Sequence, residues 1–188
     1  DGGWLSTGRI EAWSRNGAPV VLPPESAAGT WSQVVWANAA DAIAWARAPG
    51  HQPPGAGFDM GAARASAPER LPIYVWDAAA SAMVAILPGS ESVVLALDFS
   101  PDDRQLVSAG HDGLIRLWSL ETETLIRTFE GHKGRVTSVR FNPTGTRLVS
   151  CGQDGPVRIW SVASGQELLA LPTGSRFTWH CAFQPDGR

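Results

Sequence analysis

Ser150, His132 and Asp154 supply the three residue types of a hydrolytic triad. In that chemistry an imidazole takes the serine proton while a carboxylate orients the imidazole. The serine must also stand exposed, as on the sharp strand-to-helix turn of a nucleophile elbow. Ser150 lies instead inside the run Leu148-Val149-Ser150-Cys151, which reads as the middle of a strand. Polar groups there have to satisfy one another, because a buried unsatisfied one costs about 1–3 kcal/mol. The trio is therefore read as structural, and no catalytic residue is assigned. His51 and Asp59 lack a third ligand for zinc. No Gly-x-x-x-x-Gly-Lys loop offers a phosphate cradle. No metal, cofactor or small-molecule substrate is expected.

The elements that position these residues show themselves as a repeat. Phe99-Ser100-Pro101, Phe141-Asn142-Pro143 and Phe183-Gln184-Pro185 follow each other at intervals of 42 residues. Trp76, Trp118 and Trp160 keep the same interval, as do Asp112 and Asp154. Trp13 lies 63 residues before Trp76, one repeat and a half, so that unit carries an insertion. Within a unit the alternation is that of short strands. Residues 135–141, 147–152, 156–161 and 166–171 read as four strands, separated by turns at Asn142–Thr146, Gln153-Asp154-Gly155 and Ala163-Ser164-Gly165. Four strands in about 42 residues is the period of a propeller blade.

Gly131-His132, Ser150, Asp154-Gly155 and Val157-Arg158-Ile159-Trp160 together resemble a WD-repeat unit, and Trp76-Asp77 supplies a literal Trp-Asp pair. Ile73-Tyr74-Val75-Trp76, Ile115-Arg116-Leu117-Trp118 and Ile10-Glu11-Ala12-Trp13 repeat its third strand. The resemblance is strong over residues 71–188 and weaker over 1–47. It implies an all-β propeller of four-stranded antiparallel blades. It also implies a tetrad in which His132 bridges Ser150 and Asp154 while Ser150 meets the indole N–H of Trp160. The preceding blade keeps Ser108, Asp112 and Trp118, with Ser90 at the histidine position. The blade before that keeps Trp76 alone, so apolar burial by Val34, Val35, Ile43, Trp45 and Val75 is expected to hold it.

The expected organisation is an open arc of about three full blades with partial blades at both ends. Residues 1–22 give part of a first blade, 30–88 a second, 89–130 a third and 131–172 a fourth, with 173–188 starting a fifth. Such an arc is expected to be a piece of a longer ring, because closure is what removes sheet edges. The insert at 48–72, with its five Pro and four Gly, falls between the second and third strands of its blade. It is either a tolerated surface loop or a binding loop. Cys151 and Cys181 align with Ala109 and Val139 and read as buried small hydrophobes.

The chain has 188 residues, 44% apolar and 18% charged, with net charge -3. That mixture argues against nucleic acid or an anionic membrane as the main partner. No apolar run approaches the about 18 residues of a membrane span. The function implied is a cytoplasmic scaffold that binds a protein or peptide, as one module of a larger protein. A propeller regulating a catalytic domain elsewhere, or a spacer, are the alternatives. The expected contact face lies where the fourth-to-first-strand loops meet the second-to-third-strand turns, with Glu91, His111, Lys133, Arg135, Gln153 and Phe177 exposed on it.

Overall fold

The structure, a computed structural model, describes residues 12–13, 19–20, 31–37, 42–47, 71–77 and 80–184. Residues 1–11 and residues 48–70 of the insert lie outside them, whereas Leu71 and Pro72, expected to end the insert, already belong to the strand that follows it. A short hairpin, β1 (Ala12–Trp13) with β2 (Pro19–Val20), comes first. Three four-stranded antiparallel sheets follow. Blade 2 is β3 (Trp31–Trp36), β4 (Ala42–Arg47), β5 (Leu71–Asp77) and β6 (Ala82–Ser90). Blade 3 is β7 (Val94–Phe99), β8 (Gln105–Gly110), β9 (Ile115–Ser119) and β10 (Leu125–Phe129). Blade 4 is β11 (Val136–Phe141), β12 (Arg147–Gly152), β13 (Val157–Ser161) and β14 (Glu167–Leu171). Within each blade the strands lie in chain order, and the three sheets are not closed into a ring.

One register is repeated in all three blades. Trp36, Phe99 and Phe141 of the first strands stand opposite Ile43, Leu106 and Leu148. Those residues in turn stand opposite Trp76, Trp118 and Trp160. Trp36 thus occupies the phenylalanine slot of its blade. The insert leaves β4 and β5 paired as neighbours, from Ala42 opposite Asp77 to Ala46 opposite Ile73. A loop of that length changes closure entropy only slowly, so the hairpin beside it keeps its register.

Strand periodicity divides the core between blades. On β8, Leu106 joins Leu97, Phe99 and Trp118 against Ala44, Ile73, Val75 and Leu87 of blade 2. Its alternate residues Val107 and Ala109 join Ile115, Leu117 and Phe129 against Val136, Val139, Phe141, Leu148 and Trp160 of blade 4. Blade 3 therefore buries both faces, one against each neighbour. Side chains also tie the first strands together. Asp98 accepts a hydrogen bond from Phe141 N (2.8 Å), and Arg140 Nη1 donates to Leu97 O (2.8 Å).

The stretch expected to begin a fifth blade forms no strand over residues 173–184. A first strand needs the second strand of its own blade as ladder partner, and none exists among the described residues. It is strapped to blade 4 instead, by Thr137 Oγ1 donating to Thr178 O (2.7 Å) and Ser138 Oγ donating to Cys181 O (3.3 Å). This corrects the reading of Cys181: it is half-buried, with its thiol toward Ser138 O at 3.8 Å, whereas Cys151 is fully buried. The neighbouring Cys151 thiol, together with burial, pushes that of Cys181 up.

Candidate functional site

β12 brings Ser150 to the middle of blade 4, β13 brings Trp160 beside it, and the turn between these strands carries Asp154. His132 enters from the loop that precedes β11. His132 Nδ1 lies 2.7 Å from Asp154 Oδ1, and His132 Nε2 lies 2.7 Å from Ser150 Oγ. Trp160 Nε1 donates to Ser150 Oγ at 2.8 Å. One proton arrangement satisfies the whole chain. The indole donates to the serine, the serine hydroxyl donates to Nε2, and Nδ1–H donates to the carboxylate. Asp154 Oδ2 accepts from Lys133 N (3.2 Å) and from Arg158 (3.1 Å), while Arg158 also pairs with Glu167.

Electrostatics follow from burial. Burial pushes the His132 imidazole below its ordinary pKa and outweighs the hydrogen bond and charge of Asp154. Burial alone would raise Asp154, but the bonds from His132, Lys133 N and Arg158 hold it below the usual carboxylate range. The pair is therefore neutral imidazole beside carboxylate at neutral pH. The distances are those of a hydrolytic triad, yet Ser150 has no exposed surface and its oxygen already accepts the indole N–H. No substrate carbonyl can reach it, so the arrangement locks the blade and offers no nucleophile.

Blade 3 builds the same frame without the imidazole. Trp118 Nε1 donates to Ser108 Oγ (2.8 Å), and Ser90 Oγ donates to Asp112 Oδ2 (3.2 Å). Asp112 also pairs with Arg116 at 2.7 Å, as Asp154 does with Arg158. In blade 2, Trp45 stands in the serine slot and Tyr74 in the arginine slot, with their rings stacked at 5.7 Å. Trp76 Nε1 is consequently buried with no hydrogen-bond partner among the described residues. The arginine pairs were not singled out in the sequence. The 42-residue spacing of Arg116 and Arg158 was the available signal.

Above the tetrad, the second-to-third-strand turns of blades 3 and 4 abut the loops that follow those blades. Gly113 is so close to the following loop that an added Cβ would lie 2.9 Å from Gly134 O. Gln153 N donates to Arg135 O at 2.9 Å. Gly155, with φ of 97°, passes so near Ser175 that a Cβ would sit 2.4 Å from its carbonyl oxygen. These contacts join the loops into one rim. Glu91, His111, Lys133, Arg135 and Gln153 are exposed on it and Phe177 is half-buried. Phe177 packs against Trp179, ring centroids 4.1 Å apart, and Trp179 is 70% exposed. Trp179 was not anticipated.

Three blades of this build, each crossed by the same register, define a partial β-propeller whose loop-bearing rim is open to solvent. Residues 81–119 and 123–161 match the family model described as WD domain, G-beta repeat. Over those residues the chain carries WD40 repeats, within a partial propeller. Its fold is similar to the crystal structure of RRP9 WD40 repeats, with TM-score 0.63 and 21% identity. That match covers 79% of this chain and 40% of the solved one, so the chain spans less than half of that structure's length. No curated protein matches the sequence.

Proposed function

We propose that this chain is a protein- or peptide-binding scaffold and that the partner is recognised along the rim of turns and loops. The observation that carries the reading is the continuity of that rim, in which backbone contacts run from residues 111–113 through 132–135 and 152–155 to 175–178. The loops at 111–113, 132–135 and 152–155 are held at both ends by strands, and residues 173–178 by hydrogen bonds to blade 4, so side chains are presented with little ordering cost on binding. WD40-repeat domains generally serve as interaction scaffolds, which agrees with a rim of exposed side chains above a fully buried Ser150. We place the chain in the cytoplasm as one module of a larger protein, a reading supported by cysteines that stand as thiols.

The test is hydrogen exchange on a complex with a partner captured by the 188-residue chain. Protection is expected around Lys133, Arg135, Gln153 and Phe177. Protection confined to the opposite turns, near Pro143-Thr144 and Ala163-Ser164, would defeat the proposal.

A further inference from the structure

The last third of the rim has a composition of its own. The turn Gln153-Asp154-Gly155 is gripped on one side by residues 133–135 and on the other by residues 173–178. On the first side Gln153 N donates to Arg135 O. On the second, Thr178 N donates to Gly152 O (3.0 Å), and Thr173 and Thr178 hydroxyls donate to Gly155 O (3.0 and 2.8 Å). Lys133, Arg135 and Arg176 thus flank one turn. All three are exposed, and none has a carboxylate partner among the described residues.

The acids nearby are already engaged inward. Both oxygens of Asp154 are taken by His132, Lys133 N and Arg158, and Glu167 is held by Arg158. Glu130 is exposed at the start of the loop that carries Lys133 and Arg135, one acid against three cations. The outward field of this part of the rim is therefore positive, although the chain as a whole carries net charge -3. Beside the cations stands the Phe177–Trp179 pair. Thr178 between them is pinned by Thr137 and by the turn, so the two rings are fixed by a bonded backbone. Exposed aromatic and arginine side chains held in this way are the residue types that anchor interfaces.

From this we infer that the rim segment formed by Lys133, Arg135, Gln153, Arg176, Phe177 and Trp179 binds an acidic peptide segment bearing an apolar anchor residue. Carboxylates meet the three unpaired cations, and the anchor seats on the two rings. The inference rests on the scaffold reading and deepens it. Single-stranded nucleic acid would also use cations and aromatic stacking, but it needs a positive track along its length. Here the cations are three residues flanking one turn, and Glu91 stands further along the rim.

The experiment uses the 188-residue chain and fluorescence anisotropy with three labelled probes. One is a short peptide of glutamates carrying one leucine and one phenylalanine. The second is its counterpart with lysines, and the third is an oligothymidylate. Saturable binding of the acidic peptide alone is expected, weakening with salt. Arg135→Glu and Arg176→Glu should each weaken it by about tenfold or more and flatten its salt dependence. Trp179→Ala should weaken it to a similar extent and leave the salt dependence as it was. Melting curves of the three variants should match the parent, since all three side chains are exposed. Equal binding of the lysine peptide, binding of oligothymidylate as tight as the acidic peptide, or variants that bind like the parent would each overturn the inference. Hydrogen exchange separates the two levels: rim protection by a captured partner with no acidic-peptide binding removes the inference and leaves the scaffold reading.

Discussion

His132 Nε2 lies 2.7 Å from Ser150 Oγ, deep in blade 4, and that bond closes a relay running from the Trp160 indole to Asp154. Because Ser150 and Trp160 are buried and the His132 and Asp154 side chains nearly so, removing one member orphans its neighbours. His132→Ala and Ser150→Ala are each expected to cost about 1–3 kcal/mol in urea denaturation. Any capacity to bind a partner should fall only as far as folding does. The pH dependence has a definite sign. The folded imidazole resists protonation, so as pH falls through the ordinary histidine range the unfolded chain binds the proton more readily. Stability contributed by His132 is present above that range and lost below it, and His132→Ala should remove this limb. A Ser150→Ala variant that kept parental stability yet abolished a measured hydrolysis would return the triad to catalysis.

The three blade tryptophans provide an internal comparison. Trp118 and Trp160 each donate to a buried serine, whereas Trp76 has no such acceptor because Trp45 replaces it. Trp160→Phe should cost about 1–2 kcal/mol, since it deletes a bond and frees Ser150. Trp76→Phe should cost less than about 1 kcal/mol, because no bond is lost and the ring remains apolar. Equal losses in thermal melts would show that shape, not hydrogen bonding, sets the value of this position.

Much of this arrangement was legible in the sequence because repeats state the same constraint several times. The 42-residue interval of Phe99, Phe141, Trp118 and Trp160 fixes blade length and, through the period of 2, which residues share a face. Blade 2 was harder to read. Trp45 and Tyr74 stack where serine and arginine stand elsewhere, and a stack between strands separated by an insert leaves no spacing to detect. Asp98 and Arg140 occupy one slot of successive repeats, so each looks like an ordinary surface charge within its own unit. Their contact exists only once the blades pack. Residues 173–184 show the converse limit: the pattern of a first strand is present, but pattern alone does not make a ladder without a partner strand.

Blade 3 invites a gain rather than a loss. Ser90 lies 42 residues before His132, and its hydroxyl already bonds Asp112, the counterpart of Asp154. Ser108 meets Trp118 as Ser150 meets Trp160. Ser90→His would place an imidazole between Ser108 and Asp112, at the loss of the bond from Ser92 N to Ser90 Oγ. If the slot accepts the ring, stability should rise by about 1 kcal/mol, seen as a higher melting temperature. A lower melting temperature would mean that blade 3 has closed around the smaller residue and is overpacked by the ring.

Asp98 offers a test of how the blades are joined. Its side chain is 19% exposed, accepts from Phe141 N at 2.8 Å, and stands 3.9 Å from Arg140 Nη1. Burial raises its carboxyl from 3.8 to about 6, against the opposing pull of the Phe141 bond and the Arg140 charge. The arginine is too distant to compensate fully because Arg140 spends Nη1 on the carbonyls of Leu97 and Val139. The folded state thus favours the protonated acid. The stability this contributes is complete below the unfolded value near 3.8 and is lost as pH rises through about 6. Asp98→Asn keeps an acceptor for Phe141 N–H and removes the charge. At neutral pH the variant should be more stable than the parent by roughly 1–3 kcal/mol, and the two should converge as pH falls toward 4. Urea denaturation of both chains from pH 4 to pH 8 measures the difference directly. A variant less stable at neutral pH, with a gap that does not narrow on acidification, would show that the Asp98 charge holds blades 3 and 4 together through Arg140. Burial would then be the lesser influence on that carboxylate.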